Sequence, residues 1–296
     1  MCPCGADCGE PTLAARFHRR SRRPYPRHRL SAAATGPRRR LSGKERDKMG
    51  GIVPERYVCY RSSEPLTVDG HLTEPSWKRA PWTPLFVDIE GDGRLLPRFG
   101  TRVMMLWDDD YFYFGADMEE PHVWGTLTKR DSVICQDNDF EIFVDPDGDG
   151  EHYMEFEINP LNTVWDLYLP KAYNKGGEAD HTWDFVGIRH AVQVDGTLNC
   201  SEDVDRGWSV EVAIPWTSMA EYAGTDCPPR AGDQWRVNFS RVEWEFEAVQ
   251  GGYRKKDGVP CDNWVWSPQG AVNMHIPEMW GHVQFSDITV GCGEEV

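Results

Sequence analysis

The sequence predicts an all-β protein: an antiparallel two-sheet β-sandwich of about eleven short strands behind a basic N-terminal segment that has no fold of its own. Three observations carry this. Apolar residues after Tyr57 recur with period two, while helical periodicity is almost absent. Gly, Pro and Asp interrupt the apolar runs at hairpin spacing. The 296-residue chain also divides sharply by charge, its net −16 hiding a +9 segment over residues 1–48 and a −25 body over residues 49–296.

The basic segment comes first. Residues 11–43 contain ten Arg, several Ser and Ala and no acid, the composition of an organellar transit peptide or a disordered basic tail. It lacks the apolar residues needed to offset ordering entropy, so residues 1–50 are set apart from a single domain over residues 51–290. Met49 is an alternative start. No secretory signal is recognisable, which leads to an intracellular expectation, organellar or cytoplasmic.

The body is then read in order. Thr101 to Trp107 and Tyr111 to Met118 are β-branched and aromatic runs separated by Asp108, Asp109 and Asp110, a hairpin signal. Phe140 to Val144 and Tyr153 to Ile158 flank a second turn, Asp145 to Gly150. Trp208, Val210, Val212 and Ile214 alternate with smaller or polar residues, as do Trp235, Val237 and Phe239, and less cleanly Trp280, Val283 and Phe285. Only Glu74 to Arg79 and Trp216 to Glu221 suit short helical turns. An acidic body is a poor nucleic-acid binder, and no run approaches the roughly 18 apolar residues of a membrane span. Nine cysteines, scattered and odd in number, read as free thiols rather than a disulfide framework; Cys2, Cys4 and Cys8 lack the second pair of a zinc site.

Two kinds of residue could carry function. Asp145, Asp147 and Asp149 place hard oxygen ligands at alternate positions in a Gly-rich turn, as calcium requires, although the twelfth position is Phe156 and not a bidentate Glu. Equally, Asp and Gly are good hairpin residues. The thirteen Trp, all after residue 76, are the compositional outlier. Trp107, Trp208, Trp235 and Trp280 lie in alternating strands and suit a core. Trp124, Trp183, Trp264 and Trp266 lie in irregular stretches, where an exposed ring can stack on the apolar face of a sugar. No nucleophile elbow, phosphate loop, dinucleotide fingerprint or zinc-protease motif is present.

The chain resembles family 9 carbohydrate-binding modules within the DOMON-like β-sandwiches. The resemblance runs through TVDGHLTEPSW (67–77), RVMMLWDDDYFYFGADMEE (102–120), DNDFEIFVDPDGDG (137–150), GWSVEVAIPW (207–216), GDQWRVNFSRVEW (232–244) and IPEMWGHVQFSD (276–287). It implies a two-sheet sandwich, bound calcium and a sugar ring clamped between two tryptophans. Glu141 and Asn238 fall on polar sugar-binding positions. The clamp itself is replaced by Ile134-Cys135-Gln136 and Asn273-Met274-His275, which leaves Trp124 and Trp264 or Trp266 as candidate stacking platforms. The expected function is non-catalytic carbohydrate binding, in carbohydrate breakdown alongside a separate glycoside hydrolase. Two alternatives stand beside it. One is hydrolysis at a carboxylate pair drawn from Glu141, Glu155, Glu157, Asp166 and Glu243. The other is haem binding, which the DOMON-like resemblance suggests, through Met104, Met105, Met118, Met274 or His275.

Overall fold

A computed structural model describes residues 51–292; the basic segment, with its transit-peptide and cysteine readings, lies outside them. The strands are β1 (Arg56–Arg61), β2 (Val87–Asp88), β3 (Thr101–Trp107), β4 (Tyr111–Glu119), β5 (Asp139–Asp145), β6 (Glu151–Ile158), β7 (Val164–Lys171), β8 (Arg189–Asp195), β9 (Gly207–Pro215), β10 (Gln234–Glu243), β11 (Phe246–Val249), β12 (Gly252–Lys255), β13 (Asp262–Val265) and β14 (Gly281–Thr289). Two short helices, α1 (Pro75–Arg79) and α2 (Trp216–Met219), stand where the sequence allowed them. No helix among the described residues is long and apolar enough to cross a membrane.

Both expected hairpins form. The β3–β4 turn is tied by Asp108, whose Oδ1 accepts from the backbone N–H of Asp110 (2.9 Å) and Tyr111 (2.8 Å) and whose Oδ2 accepts from the Tyr113 hydroxyl (2.7 Å). The β5–β6 turn bends through Gly148 and Gly150, both at positive φ (72° and 80°), where a side chain would be strained.

The pairing departs from a purely antiparallel expectation in one place. β1 runs parallel to both β14 and β3, so a single hydrogen-bonded path, β7-β6-β5-β10-β14-β1-β3-β4-β9-β8, passes through both layers. The cause is the long connection from β1 to β3, which carries α1 and returns the chain in the same direction. The path folds over so that β5, β6 and β10 face β3, β4 and β9 across one core, with Phe239 against Phe114 (5.8 Å between ring centres) and Phe112 against Trp235 (6.3 Å). Alternation does the sorting: Phe140, Ile142 and Val144 point into this core, leaving Asp139, Glu141, Phe143 and Asp145 on the outer face of β5.

Candidate functional site

The tryptophans expected as exposed platforms are core. Trp124, Trp264 and Trp266 are 2%, 3% and 2% exposed. Trp264 stands opposite Arg241 on the inward side of β10, and Trp266 packs on Phe239 (5.7 Å). Gly281 makes room for that ring: a Cβ there would meet it at 2.4 Å. Trp124 packs edge-on against Phe246 (6.2 Å). Each ring gains more from burial than a short loop could offset by holding it in water.

Glu141 and Asn238 do share the outer face of β5 and β10, yet both are buried. Asn238 is committed to the backbone of Ser267, donating to Ser267 O and accepting from Ser267 N–H, both at 2.9 Å. Glu141 stands in register with Glu157 on β6 and Ser240 on β10, and Asp139 and Glu155 lie on the same side. Burial pushes all four carboxyls above the usual carboxylate range, Glu141 to about 7. Asp139 was missed in the sequence, although an acid two residues before Glu141 in an apolar strand is itself a signal.

The structure separates the remaining carboxylates from this group. Asp166 pairs with Arg130 and accepts from Phe185 N–H (2.7 Å), while Glu243 pairs with Arg241 (2.9 Å). The methionines and histidine considered for haem do not converge either. Met104, Met105 with Met118, and Met274 belong to three different apolar clusters. His275 bonds the Tyr153 hydroxyl (2.9 Å), and burial holds its pKa down at about 4.

The Asp145 turn satisfies itself. Asp145 accepts from the N–H of Gly148 (3.0 Å) and Gly150 (2.9 Å), one on each oxygen, and Asp149 accepts from Glu151 N–H (2.7 Å). One oxygen from each of Asp145, Asp147 and Asp149 still falls within 4.8 Å of the others, but those donors already account for the geometry.

An open cleft of about 680 Å³ lies on the other layer, within the range of small-molecule sites. Its floor is a polar row running across four strands, Arg102, Asp117, Ser209 and Gln193, each in register with the next. Arg102 donates through Nε (3.1 Å) and Nη2 (2.9 Å) to Asp117 Oδ2 and lies 4.1 Å over the ring of Trp82. Trp82 is partly exposed and Leu85 is 60% exposed, so one wall is apolar. Asp117 Oδ1 and Gln193 Oε1 make no hydrogen bond among the described residues and remain available to a ligand. Sequence reasoning passed over this row, because pairing across four strands is visible only once register is known.

The family described as "Carbohydrate family 9 binding domain-like" matches residues 68–228, more than half of the chain. The chain belongs to this family. Every residue lining the cleft falls inside the matched family 9 segment. Among solved structures, a putative carbohydrate-binding protein from Bacteroides uniformis is similar at 18% identity and TM-score 0.56, covering 79% of this chain and all of that one. A family 9 carbohydrate-binding module from Caldicellulosiruptor kristjanssonii, in complex with cellotriose, is similar at 15% identity and TM-score 0.50, over 81% of this chain and 99% of that one. At such identities the likeness speaks for the family 9 fold. No curated protein matches the chain.

Proposed function

We propose that the protein binds carbohydrate without cleaving it, and that the sugar lies in the cleft over Arg102, Asp117 and Gln193. One observation carries the placement: this opening combines ligand-sized volume, apolar surface from Trp82 and Leu85, and side-chain donors and acceptors in a row. A sugar needs that combination, apolar surface for its C–H faces and fixed partners for its hydroxyls. Family membership supports the ligand class. The carboxylates considered for hydrolysis are buried or ion-paired away from the cleft, so none is offered to a sugar bound there. The partner this reading calls for is a separate glycoside hydrolase whose polysaccharide the protein would hold.

A glycan array followed by calorimetry tests the reading, with cellotriose among the probes. Trp82→Ala and Arg102→Ala should each weaken binding by about 1–3 kcal/mol. Parent-like affinity in both variants would move the sugar elsewhere on the molecule, and an array on which nothing binds would end the carbohydrate reading.

A further inference from the structure

The strongest feature left unexplained is a row of bases on the outer face of β10, β14 and β1. Arg236 on β10, His282 on β14 and Arg56 on β1 stand in register across the three strands. The next outward positions on the same strands are Gln234, Gln284 and Val58, also in register. Tyr57, Cys59, Trp235, Val237, Val283 and Phe285, which alternate with them, point into the core. Neighbouring strands lie about 4.8 Å apart, so the three bases stand side by side. They do so in a body of net charge −25, where acids outnumber bases.

The row has no counter-charge of its own. Burial first, and then Arg236 and Arg56, hold the His282 imidazole below its ordinary pKa. The acids near Arg236 are Glu278 and Asp145, the latter on β5 and so across β10 from the row. Arg236 Nη1–H donates to Trp280 O (2.8 Å). Glu55 meets His282 only through its backbone O, which accepts from His282 N–H (2.8 Å). Among the described residues, the side chains of Arg56, His282, Gln234 and Gln284 make no hydrogen bond and no ion pair. A second, independent observation is a hollow of about 160 Å³ lying against these four side chains. It falls well below the roughly 300–1,000 Å³ of sites for drug-sized molecules, and no carboxylate lines it.

We propose that this hollow binds a tetrahedral oxyanion, a sulfate or phosphate group, held by Arg56 and His282 with the Gln234 and Gln284 amides as further donors. Such a group offers only acceptors along most of its surface, which matches a lining of two bases and two amides. The guanidinium of Arg56 is a planar fork that meets two oxygens at once. A protonated imidazole adds a second charge-assisted bond, and Arg236 adds its charge from one place along the row. Free sulfate and a sulfate ester carried on a sugar present the same group to the hollow. The strands differ from those under the Arg102 cleft, so the proposal stands without the carbohydrate reading.

Sulfate is the probe, because its charge does not change across the pH range used. Calorimetry on the full chain, with ionic strength held by sodium chloride, compares sodium sulfate, glucose 6-sulfate and glucose. Arg56→Gln and His282→Gln should each weaken sulfate binding about tenfold, the loss of one charge-assisted hydrogen bond. Binding should be tighter at about pH 5.5 than at about pH 7.5, since the anion favours the charged imidazole. His282→Gln should lose that difference and Arg56→Gln should keep it. Arg56 is exposed and His282 half-buried, so both variants should melt like the parent. Should His282→Gln melt lower, Arg56→Gln and the pH dependence of the parent decide. Uptake of the sugar ester alone, lost in both variants, marks an ester site; uptake of sodium sulfate marks a free-ion site. The proposal is overturned if the parent binds neither, if Arg56→Gln binds as tightly as the parent, or if affinity is equal at both pH values.

Discussion

The two outer faces of the sandwich treat their acids in opposite ways. On the β3–β4–β9–β8 side, acids meet bases in the open: Asp117 with Arg102, and Asp195 with Arg206. On the β5–β6 side, four carboxyls are buried together without a base among the described residues. A third group, Asp131, Asp166 and Asp184, is as crowded as the second but has Arg130 among it. Acid crowding therefore does not by itself mark a site. What distinguishes the β5–β6 group is burial with no counter-charge, a state that costs several kcal/mol per ion unless protons or a cation relieve it.

The largest test of that contrast is Arg241, the best-enclosed base among the described residues at 1% exposed. It donates to Glu120 Oε2 (2.8 Å), Glu243 Oε2 (2.9 Å), Thr101 Oγ1 (3.1 Å) and Glu119 O (2.9 Å). Burial, and then Glu243, already push Glu120 up to about 8. Arg241→Met would leave two buried acids facing each other, and a loss of about 3–5 kcal/mol is expected in urea denaturation. Replacing Glu120 and Glu243 by Gln in the same chain should recover much of it. A loss below 1 kcal/mol for Arg241→Met would show that buried acids in this fold need no base, and the contrast would fail.

Glu211 sharpens the comparison at an intermediate scale. This carboxylate beneath α1 has no base but does have donors: Trp77 Nε1–H (2.9 Å), Asp69 N–H (3.0 Å) and Gly70 N–H (3.2 Å). Trp77 reaches it because β4 carries Gly115 there, where a Cβ would stand 3.3 Å from the ring. Glu211→Gln turns an amide into these donors, and about 1–3 kcal/mol should be lost. The pH dependence has a definite sign. Burial raises Glu211 to about 7, above its ordinary value near 4.5, so the folded state holds this proton more tightly than the unfolded one. Its contribution is most favourable below about 4.5 and is lost as pH rises toward 7. Denaturation at pH 5 and pH 7.5 should show a shallower decline in Glu211→Gln than in the parent; equal slopes would mean the group titrates alike in both states.

How much of this was legible in the sequence follows from what sets each feature. Both hairpins, the two helical turns and the core role of Trp107, Trp208, Trp235 and Trp280 follow from local alternation and turn residues, and all are present. The parallel placement of β1 and the whole of β7 and β8 were not read, because long-range pairing leaves no local mark. Irregular flanks around Trp124, Trp264 and Trp266 suggested exposure, yet loops that fold back on a sandwich bury their aromatics as thoroughly as strands do. Glu141 was read from the resemblance as a sugar-binding position; it stands on the outward face of β5, and its enclosure depends on Cys135, Tyr153 and neighbouring segments brought together by the fold.

The smallest expected effect lies at Arg102. It forms the same kind of pair as Arg241, Nε and Nη2 both directed to Asp117, but the two side chains are 42% and 49% exposed. Water screens such a pair and hydrates either partner once the other is gone, so Arg102→Ala should cost no more than about 1 kcal/mol of stability. Part of that comes from the guanidinium lying 4.1 Å over Trp82, an exposed cation–π contact of about 0.5–1 kcal/mol. Arg102→Lys isolates the stacking and the two-point hydrogen bond from the charge, because an ammonium keeps the charge but cannot reproduce the planar fork. Both variants should melt close to the parent while sugar binding, where the array finds it, weakens in both. Were Arg102→Ala to lose as much stability as Arg241→Met, the cleft would be part of the structural core, and its openness to a ligand would have to be abandoned.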